Sequence, residues 1–173
     1  FFCTNLRTKT FLHRKNGLSL KQSIGITLHW EMIIMKQNRL WDVHMHSQFS
    51  GDSDAPQEEM IMTAIDAGLG GICFTDHLDI DYPDNPALFL LDLPNYTASV
   101  LALKNKYQER LPVRLGIELG LQPHLSDIHA DILTQYPFDF VIGSSHVVHG
   151  FDPYYPSFYE GRSEKDCYRE YFE

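Results

Sequence analysis

The sequence Asp42-Val43-His44-Met45-His46 places two histidines in alternation with apolar residues, directly after the apolar pair Leu40-Trp41. Successive side chains of a strand point to opposite faces, so His44 and His46 are predicted to project from the same face. The following loop, residues 47–52, is rich in small polar residues and could wrap an ion. An edge strand with solvent-facing histidines explains this segment equally well, so the rest of the chain has to decide.

Strand-like and helix-like segments alternate along the chain. Apolar runs with the length of buried parallel strands occur at residues 72–75, 113–118 and 138–143. Helical spacing and capping residues predict helices at residues 54–67, 96–110 and 125–135, and a last one from 163 towards 173. A loop from Asp76 to Asn95, which contains three prolines, is predicted to lack regular structure over most of its length.

This alternation predicts an α/β fold with a parallel sheet or barrel and right-handed crossovers. In such folds functional groups collect beyond the carboxyl ends of the strands. Each predicted strand ends beside residues that bind metals well, namely His44, His46, His77, Glu118 and His146. We therefore predict a site for divalent zinc, manganese or iron, with Glu118 bridging two ions and Asp52 as a further ligand.

Composition limits the class of protein. The 173 residues are 43% hydrophobic, which suits one globular domain, and no apolar run approaches the length of a membrane span. The three cysteines, Cys3, Cys73 and Cys167, are too far apart to suggest a disulfide framework, and they favour a reducing cytoplasm. Cys73 lies in an apolar run and is interpreted as a buried core residue.

Charge is distributed unevenly along the chain. Residues 1–38 hold six Lys or Arg and one acidic residue, whereas residues 39–173 hold eight and twenty-two. The acidic part disfavours a nucleic-acid partner. We interpret residues 1–38 as a basic extension outside the fold, with Met35 as the preferred start, and residues 39–173 as the domain.

Four ordered motifs carry a family resemblance: D-V-H-M-H-S (residues 42–47), T-D-H (75–77), G-I-E-L-G (116–120) and F-D-F-V-I-G-S-S-H (138–146). Together they resemble the polymerase and histidinol phosphatase (PHP) superfamily, and the last two most resemble its histidinol-phosphatase branch. The resemblance implies a distorted (β/α)7 barrel with up to three metal ions at its C-terminal face.

The resemblance also implies roles for individual residues. His44 and His46 would hold one ion, Glu118 would bridge it to a second ion that His146 binds, and Asp52 and His77 would serve a third. Glu118, His146 and Asp76 are the predicted catalytic residues, and the predicted substrate-binding residues are Arg162, His149 and Tyr155.

The implied activity is metal-dependent hydrolysis of L-histidinol phosphate, a small phosphate ester, to L-histidinol and phosphate. Two alternatives stay open: a PHP phosphoesterase for nucleotides or phosphotyrosine, and a catalytically inactive, truncated metal-binding module. The sequence gives no indication of the oligomeric state.

The chain also departs from the family pattern. A glycine-histidine pair after a further strand and a terminal aspartate-x-histidine do not occur before Glu173. Only about four βα units are predicted, and four units cannot close a barrel that takes seven. We therefore expect an N-terminal fragment with incomplete metal coordination and negligible activity of its own.

Overall fold

The computed structural model describes residues 40–172. The predicted basic extension, residues 1–38, and the preferred start of the protein at Met35 lie outside these residues. The strands are β1 (Trp41–Asp42), β2 (Gly71–Phe74), β3 (His77–Leu78), β4 (Val113–Gly120) and β5 (Phe140–Ser144). The helices are α1 (Gln57–Asp66), α2 (Leu93–Tyr107), α3 (Ser126–Gln135) and α4 (Glu164–Phe172), with 3-10 turns at Pro123–Leu125 and Pro156–Tyr159.

All five strands run parallel in one curled sheet. β1 pairs with β2; β2 and β3 pair with the first and second parts of β4, and β5 pairs with the other edge of β4. Residues 40–172 thus contain the four predicted βα units, and the predicted α/β class is confirmed. Because the strands are parallel, their carboxyl ends meet at one rim of the sheet.

Burial explains why the central strands β2 and β4 have continuous apolar sequences. All four residues of β2 are buried, and so is every residue of β4 except Arg114. Strands covered on both faces lose the alternation of apolar and polar residues that marks half-exposed strands. Helix α2 packs over them with Tyr96, whose hydroxyl donates to the Gly116 carbonyl at 2.8 Å, so this buried phenol is satisfied.

The first strand is shorter than the predicted segment 42–46. Only Trp41 and Asp42 pair with β2. Beyond them, the Met45 N–H donates to the Thr75 hydroxyl at 3.1 Å, and the Thr75 N–H donates to the Met45 carbonyl at 2.9 Å. A side-chain hydroxyl here takes the place of a backbone acceptor, which ends the regular ladder but keeps the histidine segment beside β2.

The segment 76–95, predicted as mostly loop, contains β3 and the start of α2. Helix α2 begins at Leu93 instead of Tyr96, and Asp92 caps it by accepting from the Asn95 N–H at 3.3 Å. Pro94 falls in the predicted loop, but proline is compatible with the first turn of a helix because the N–H at that position needs no intrahelical acceptor.

Two further predictions about local structure are confirmed. Ser163 caps α4, since its hydroxyl accepts from the Asp166 N–H at 3.2 Å and donates to the Asp166 carboxylate at 2.6 Å. Cys73 is a buried core residue, and burial raises the pKa of its thiol to about 11. No helix in residues 40–172 has the length and apolar character needed to cross a bilayer.

Candidate metal centre

The carboxylate of Glu118 is the centre of a cluster of imidazoles. Glu118 lies near the carboxyl end of β4, and its side chain is only 3% exposed. His44 Nε2 and His46 Nε2 contact its Oε2 at 2.8 and 2.9 Å. His146 Nε2 lies 3.2 Å from its Oε1, which also accepts from the Ser144 hydroxyl at 2.6 Å. Three histidines, the first and last of which lie about a hundred positions apart in the sequence, therefore share one carboxylate.

Strand register explains how these residues meet. Glu118 is paired with His77 of β3 on one side and with Ile142 of β5 on the other. The Glu118 N–H donates to the Asp76 carbonyl at 3.1 Å, which continues the pairing with β4 across the residues between β2 and β3. The residues that follow each strand are consequently delivered to the same rim.

A second group of ligands extends the cluster beyond Glu118. Asp52 Oδ2 lies 2.9 Å from His46 Nδ1 and 3.5 Å from His77 Nε2. The His77 ring lies between those of His46 and His146, with centroid distances of 4.3 and 4.8 Å. All six residues predicted as metal ligands, namely His44, His46, Asp52, His77, Glu118 and His146, thus lie in one cluster.

Sequence reasoning missed Asp79, which joins this cluster. Its carboxylate is 1% exposed and lies 2.7 Å from His146 Nδ1 and 3.2 Å from His77 Nδ1. The available signal was its position two residues after His77 in an extended segment, where side chains two apart share a face. Asp79 falls in the segment 76–95, which the sequence predicts as mostly loop.

The donor set of this cluster fits divalent metal ions. Three groups, His44/His46/Glu118, His46/Asp52/His77 and His77/Asp79/His146, each offer ligand atoms within 4.8 Å of one another. Imidazole nitrogen together with carboxylate oxygen is the donor combination that zinc and other first-row transition metals accept in proteins. Within the described residues, every ion pair of Glu118 is with a histidine.

The electrostatics of the cluster favour protonated imidazoles beside ionised carboxylates. The hydrogen bond to Glu118 is the main cause that raises the pKa of His46 to about 9. Burial lowers the pKa of His146, but hydrogen bonds to Asp79 and Glu118 outweigh it and raise that pKa to about 10. Burial opposes ionisation of Glu118, yet its imidazole and hydroxyl donors bring its pKa well below the ordinary value.

These shifts predict that zinc binding strengthens as pH rises. Below pKa values of about 9 and 10, His46 and His146 carry protons that a metal ion must displace. We expect zinc to raise the melting temperature more at about pH 8 than at about pH 6. The metal-free protein should instead become less stable as the pH rises from about 6 to about 8. The stabilisation that accompanies the raised histidine pKa values is fully present below about pH 6.5 and is lost as the pH rises towards the folded-state pKa values. Differential scanning calorimetry with and without zinc tests this, and an equal zinc effect at both pH values would contradict it.

Asp76 lies beneath the cluster and does not hydrogen-bond to an imidazole. Its fully buried carboxylate accepts from the Ser47 N–H at 2.6 Å and from the Ser47 hydroxyl at 2.9 Å. Burial raises the pKa of Asp76, and the Ser47 donors partly offset that rise. The geometry therefore makes Asp76 an anchor for the loop that follows His46, while its catalytic role stays a prediction.

The predicted substrate residues lie in different places. Tyr155 lines a cavity of about 480 Å³ together with Asp52, His77, Asp79, Tyr82, Phe89, His146, Asp152 and Tyr154. Arg162 instead pairs with Glu170 of α4 at 2.6 Å, over the ring of Phe158. His149 is exposed in a left-handed turn, with its Nε2 3.9 Å from Glu170. Of the three, the structure brings only Tyr155 to the metal-ligand cluster.

Comparison with known proteins supports the resemblance seen in the motifs. The PHP domain family matches residues 42–173. "Probable histidinol-phosphatase" of Deinococcus radiodurans is 36% identical over 138 residues, which are 77% of this chain and 53% of that protein. Histidinol-phosphatase of Lactococcus lactis subsp. lactis is 32% identical over 131 residues, covering 75% of this chain and 48% of the relative.

A solved structure shows the same fold. The crystal structure of histidinol phosphate phosphatase from Lactococcus lactis subsp. lactis, complexed with zinc, L-histidinol and phosphate, superposes with a TM-score of 0.72 at 31% identity. The superposition covers 76% of this chain and 50% of that protein. This chain spans about half the length of the curated relatives it matches. With three quarters of its residues matched by the family and a parallel half-barrel in common with a solved member, the chain belongs to the PHP domain family.

Proposed function

We propose that this PHP domain is part of a metal-dependent phosphomonoesterase that hydrolyses L-histidinol phosphate to L-histidinol and phosphate. The observation that carries this proposal is the convergence of His44, His46 and His146 on the buried carboxylate of Glu118. The names of the relatives and the zinc, histidinol and phosphate bound to the Lactococcus lactis enzyme support the same reaction.

The contacts support a specific assignment of ligands. His44 and His46 would hold one ion through their Nε2 atoms, and Glu118 would bridge that ion to a second one that His146 binds. His77 and Asp52 would contribute to a third ion, because their atoms lie 3.5 Å apart at the solvent side of the cluster. Zinc is the preferred metal in this proposal, since nitrogen-rich sites with carboxylates suit it.

When bound, divalent ions would polarise the phosphoryl oxygens and make a water molecule more acidic. The residues of the chain supply the remaining requirements. Glu118 and Asp79 are almost fully buried and hold the imidazoles in place, while Ser144 fixes one oxygen of Glu118 by donating to it at 2.6 Å. A preorganised set of ligands of this kind lowers the cost of binding a doubly charged ester.

The neighbouring cavity suits the remainder of histidinol phosphate, which carries an imidazole and an ammonium group. Its lining combines the aromatic rings of Tyr154, Tyr155 and Phe89 with the carboxylate of Asp152, which accepts from the Tyr82 hydroxyl. Aromatic faces and a carboxylate attract cationic and heteroaromatic groups. We propose that Tyr155 contacts the substrate in this cavity; the roles of Arg162 and His149 remain predictions.

A substrate panel tests the proposal. Phosphate release from L-histidinol phosphate, a nucleoside monophosphate and phosphotyrosine would be measured for the zinc-loaded protein, including any sequence that follows Glu173 in the same reading frame. Glu118→Gln serves as the control for contaminating phosphatases. We expect Glu118-dependent hydrolysis with a preference for L-histidinol phosphate.

The other outcomes identify the alternatives. Glu118-dependent hydrolysis that favours a nucleotide or phosphotyrosine would indicate a phosphoesterase of other specificity. Stoichiometric zinc binding without hydrolysis of any ester would favour an inactive metal-binding module. The net negative charge disfavours a nucleic-acid substrate under each reading, and a cytoplasmic location remains part of the proposal.

A further inference from the structure

The carboxylate of Asp79 lies between two imidazoles of the cluster. Its Oδ1 is 2.7 Å from His146 Nδ1, and its Oδ2 is 3.2 Å from His77 Nδ1. His77 Nδ1 is farther from Glu118, at 3.8 Å. The contact with His146 is a hydrogen bond, whereas the contact with His77 is an ion-pair distance that leaves Asp79 Oδ2 and His77 Nδ1 buried without a hydrogen-bond partner. One buried carboxylate therefore faces the same ring nitrogen in both histidines.

The opposite nitrogens of the two rings point to the other ligands. His146 Nε2 lies 3.2 Å from Glu118 Oε1, and His77 Nε2 lies 3.5 Å from Asp52 Oδ2. Both rings thus have the same orientation, with Nδ1 towards Asp79 and Nε2 towards the carboxylates that would share the metal ions.

The fold holds Asp79 firmly in this position. Its backbone N–H donates to the Phe89 carbonyl at 3.0 Å, and the Phe89 ring packs against His77 with a centroid distance of 4.8 Å. On the other side, Gly120 at the end of β4 leaves the space that the carboxylate occupies. A Cβ at Gly120 would lie 1.9 Å from Asp79 Oδ1, so no larger residue fits there without moving the carboxylate.

A neutral imidazole binds a metal ion through the nitrogen that carries no proton. A carboxylate that accepts from Nδ1–H fixes the proton on that nitrogen and leaves the Nε2 lone pair free for the ion. Asp79 Oδ1 already makes this hydrogen bond with His146. Its Oδ2 and His77 Nδ1 are buried, unpartnered and 3.2 Å apart, so a small rotation of the His77 ring would let Asp79 impose the same tautomer on both histidines.

We propose that Asp79 is a positioning residue that holds His77 and His146 in the Nδ1–H tautomer, so that both offer Nε2 to the divalent ions. This inference rests on the metal site of the proposed function. In this proposal Asp79 acts through the two histidines and does not itself coordinate the ion.

Two measurements test it on the zinc-loaded chain. The first is ¹⁵N NMR of the histidine side chains in the unmodified protein, which distinguishes protonated from metal-bound ring nitrogens. We expect His77 and His146 each to show a protonated Nδ1 and a zinc-bound Nε2. Zinc bound through Nδ1 of either ring would overturn the proposal, and this result does not depend on the folding of any variant.

The second measurement is calorimetric zinc titration of Asp79→Asn. Asparagine has nearly the same shape but only one acceptor oxygen, so its amide group would face one of the two Nδ1 atoms and favour the wrong tautomer in that ring. We expect zinc affinity to fall about 10- to 100-fold and one ring to lose its zinc-bound Nε2 signal.

Asp81→Asn is the matched control for this titration. It removes an exposed carboxylate that contacts His124 Nε2 at 3.1 Å, two residues along the same segment. Its zinc affinity and NMR spectrum should equal those of the unmodified chain. Equal zinc affinity in Asp79→Asn would overturn the role of Asp79 alone, whereas no zinc binding by the unmodified chain would overturn the metal site as well.

Discussion

Replacing Glu118 by glutamine is expected to weaken zinc binding by more than about 100-fold and to abolish phosphate release by the full-length protein. The glutamine amide is neutral and has one acceptor oxygen, so it cannot bridge two cations. Its NH₂ group would also face imidazole nitrogens where the carboxylate now accepts from His44, His46 and His146. Isothermal titration calorimetry with zinc and a phosphate-release assay measure the two effects.

Glu59→Gln is the control for the Glu118 substitution. Glu59 is exposed in the first turn of α1, so the same chemical change there should leave zinc affinity unaltered. Glu118→Gln also removes a buried partner from protonated histidines, so its circular dichroism and melting curve are recorded before titration. A folded Glu118→Gln variant that binds zinc as tightly as the unmodified chain would refute the bridging role.

Replacing Asp76 by alanine is expected to lower the free energy of unfolding by about 2–4 kcal/mol. Ser47 donates both its N–H and its hydroxyl to this carboxylate, and both residues are fully buried, so alanine would leave two buried donors without their acceptor. Urea denaturation of the metal-free protein measures the loss. Zinc affinity should fall as well, because Ser47 directly follows the ligand His46.

Two further variants show whether the carboxylate itself is responsible. Asp76→Asn keeps an acceptor for the Ser47 N–H and should lose about half as much stability as Asp76→Ala. Asp131→Ala, on an exposed position of α3, should change stability by less than about 0.5 kcal/mol. Equal stability of Asp76→Ala and Asp131→Ala would show that the contact with Ser47 contributes nothing.

The parts of the fold that depend on local pattern and chain order could be predicted from the sequence. Buried strands such as β2 and β4 have recognisable apolar runs, and the parallel arrangement follows from the helices between them. Once the strands are parallel, the residues after them must meet at one rim. This is why His46, Glu118 and His146 could be grouped although they are far apart in the chain.

Features that depend on specific tertiary contacts could not be predicted. Asp79 resembles any loop aspartate until the structure shows it buried between His77 and His146. Arg162 is predicted from the sequence to bind substrate, but the structure pairs it with Glu170 of α4. Such pairings are determined by packing between segments, and no periodicity in the sequence records them.

Glu118 lies on a buried central strand of the sheet, and this location affects the stability of the protein in the cell. Metal ions held by β3, β4 and the segments after β1 and β5 would tie these parts of the chain together as a cross-link does, so metal binding and folding would become one equilibrium. Depletion of the metal would then make the chain more sensitive to proteases and would also remove the proposed phosphatase activity. The abundance of this protein would follow the zinc supply of its host.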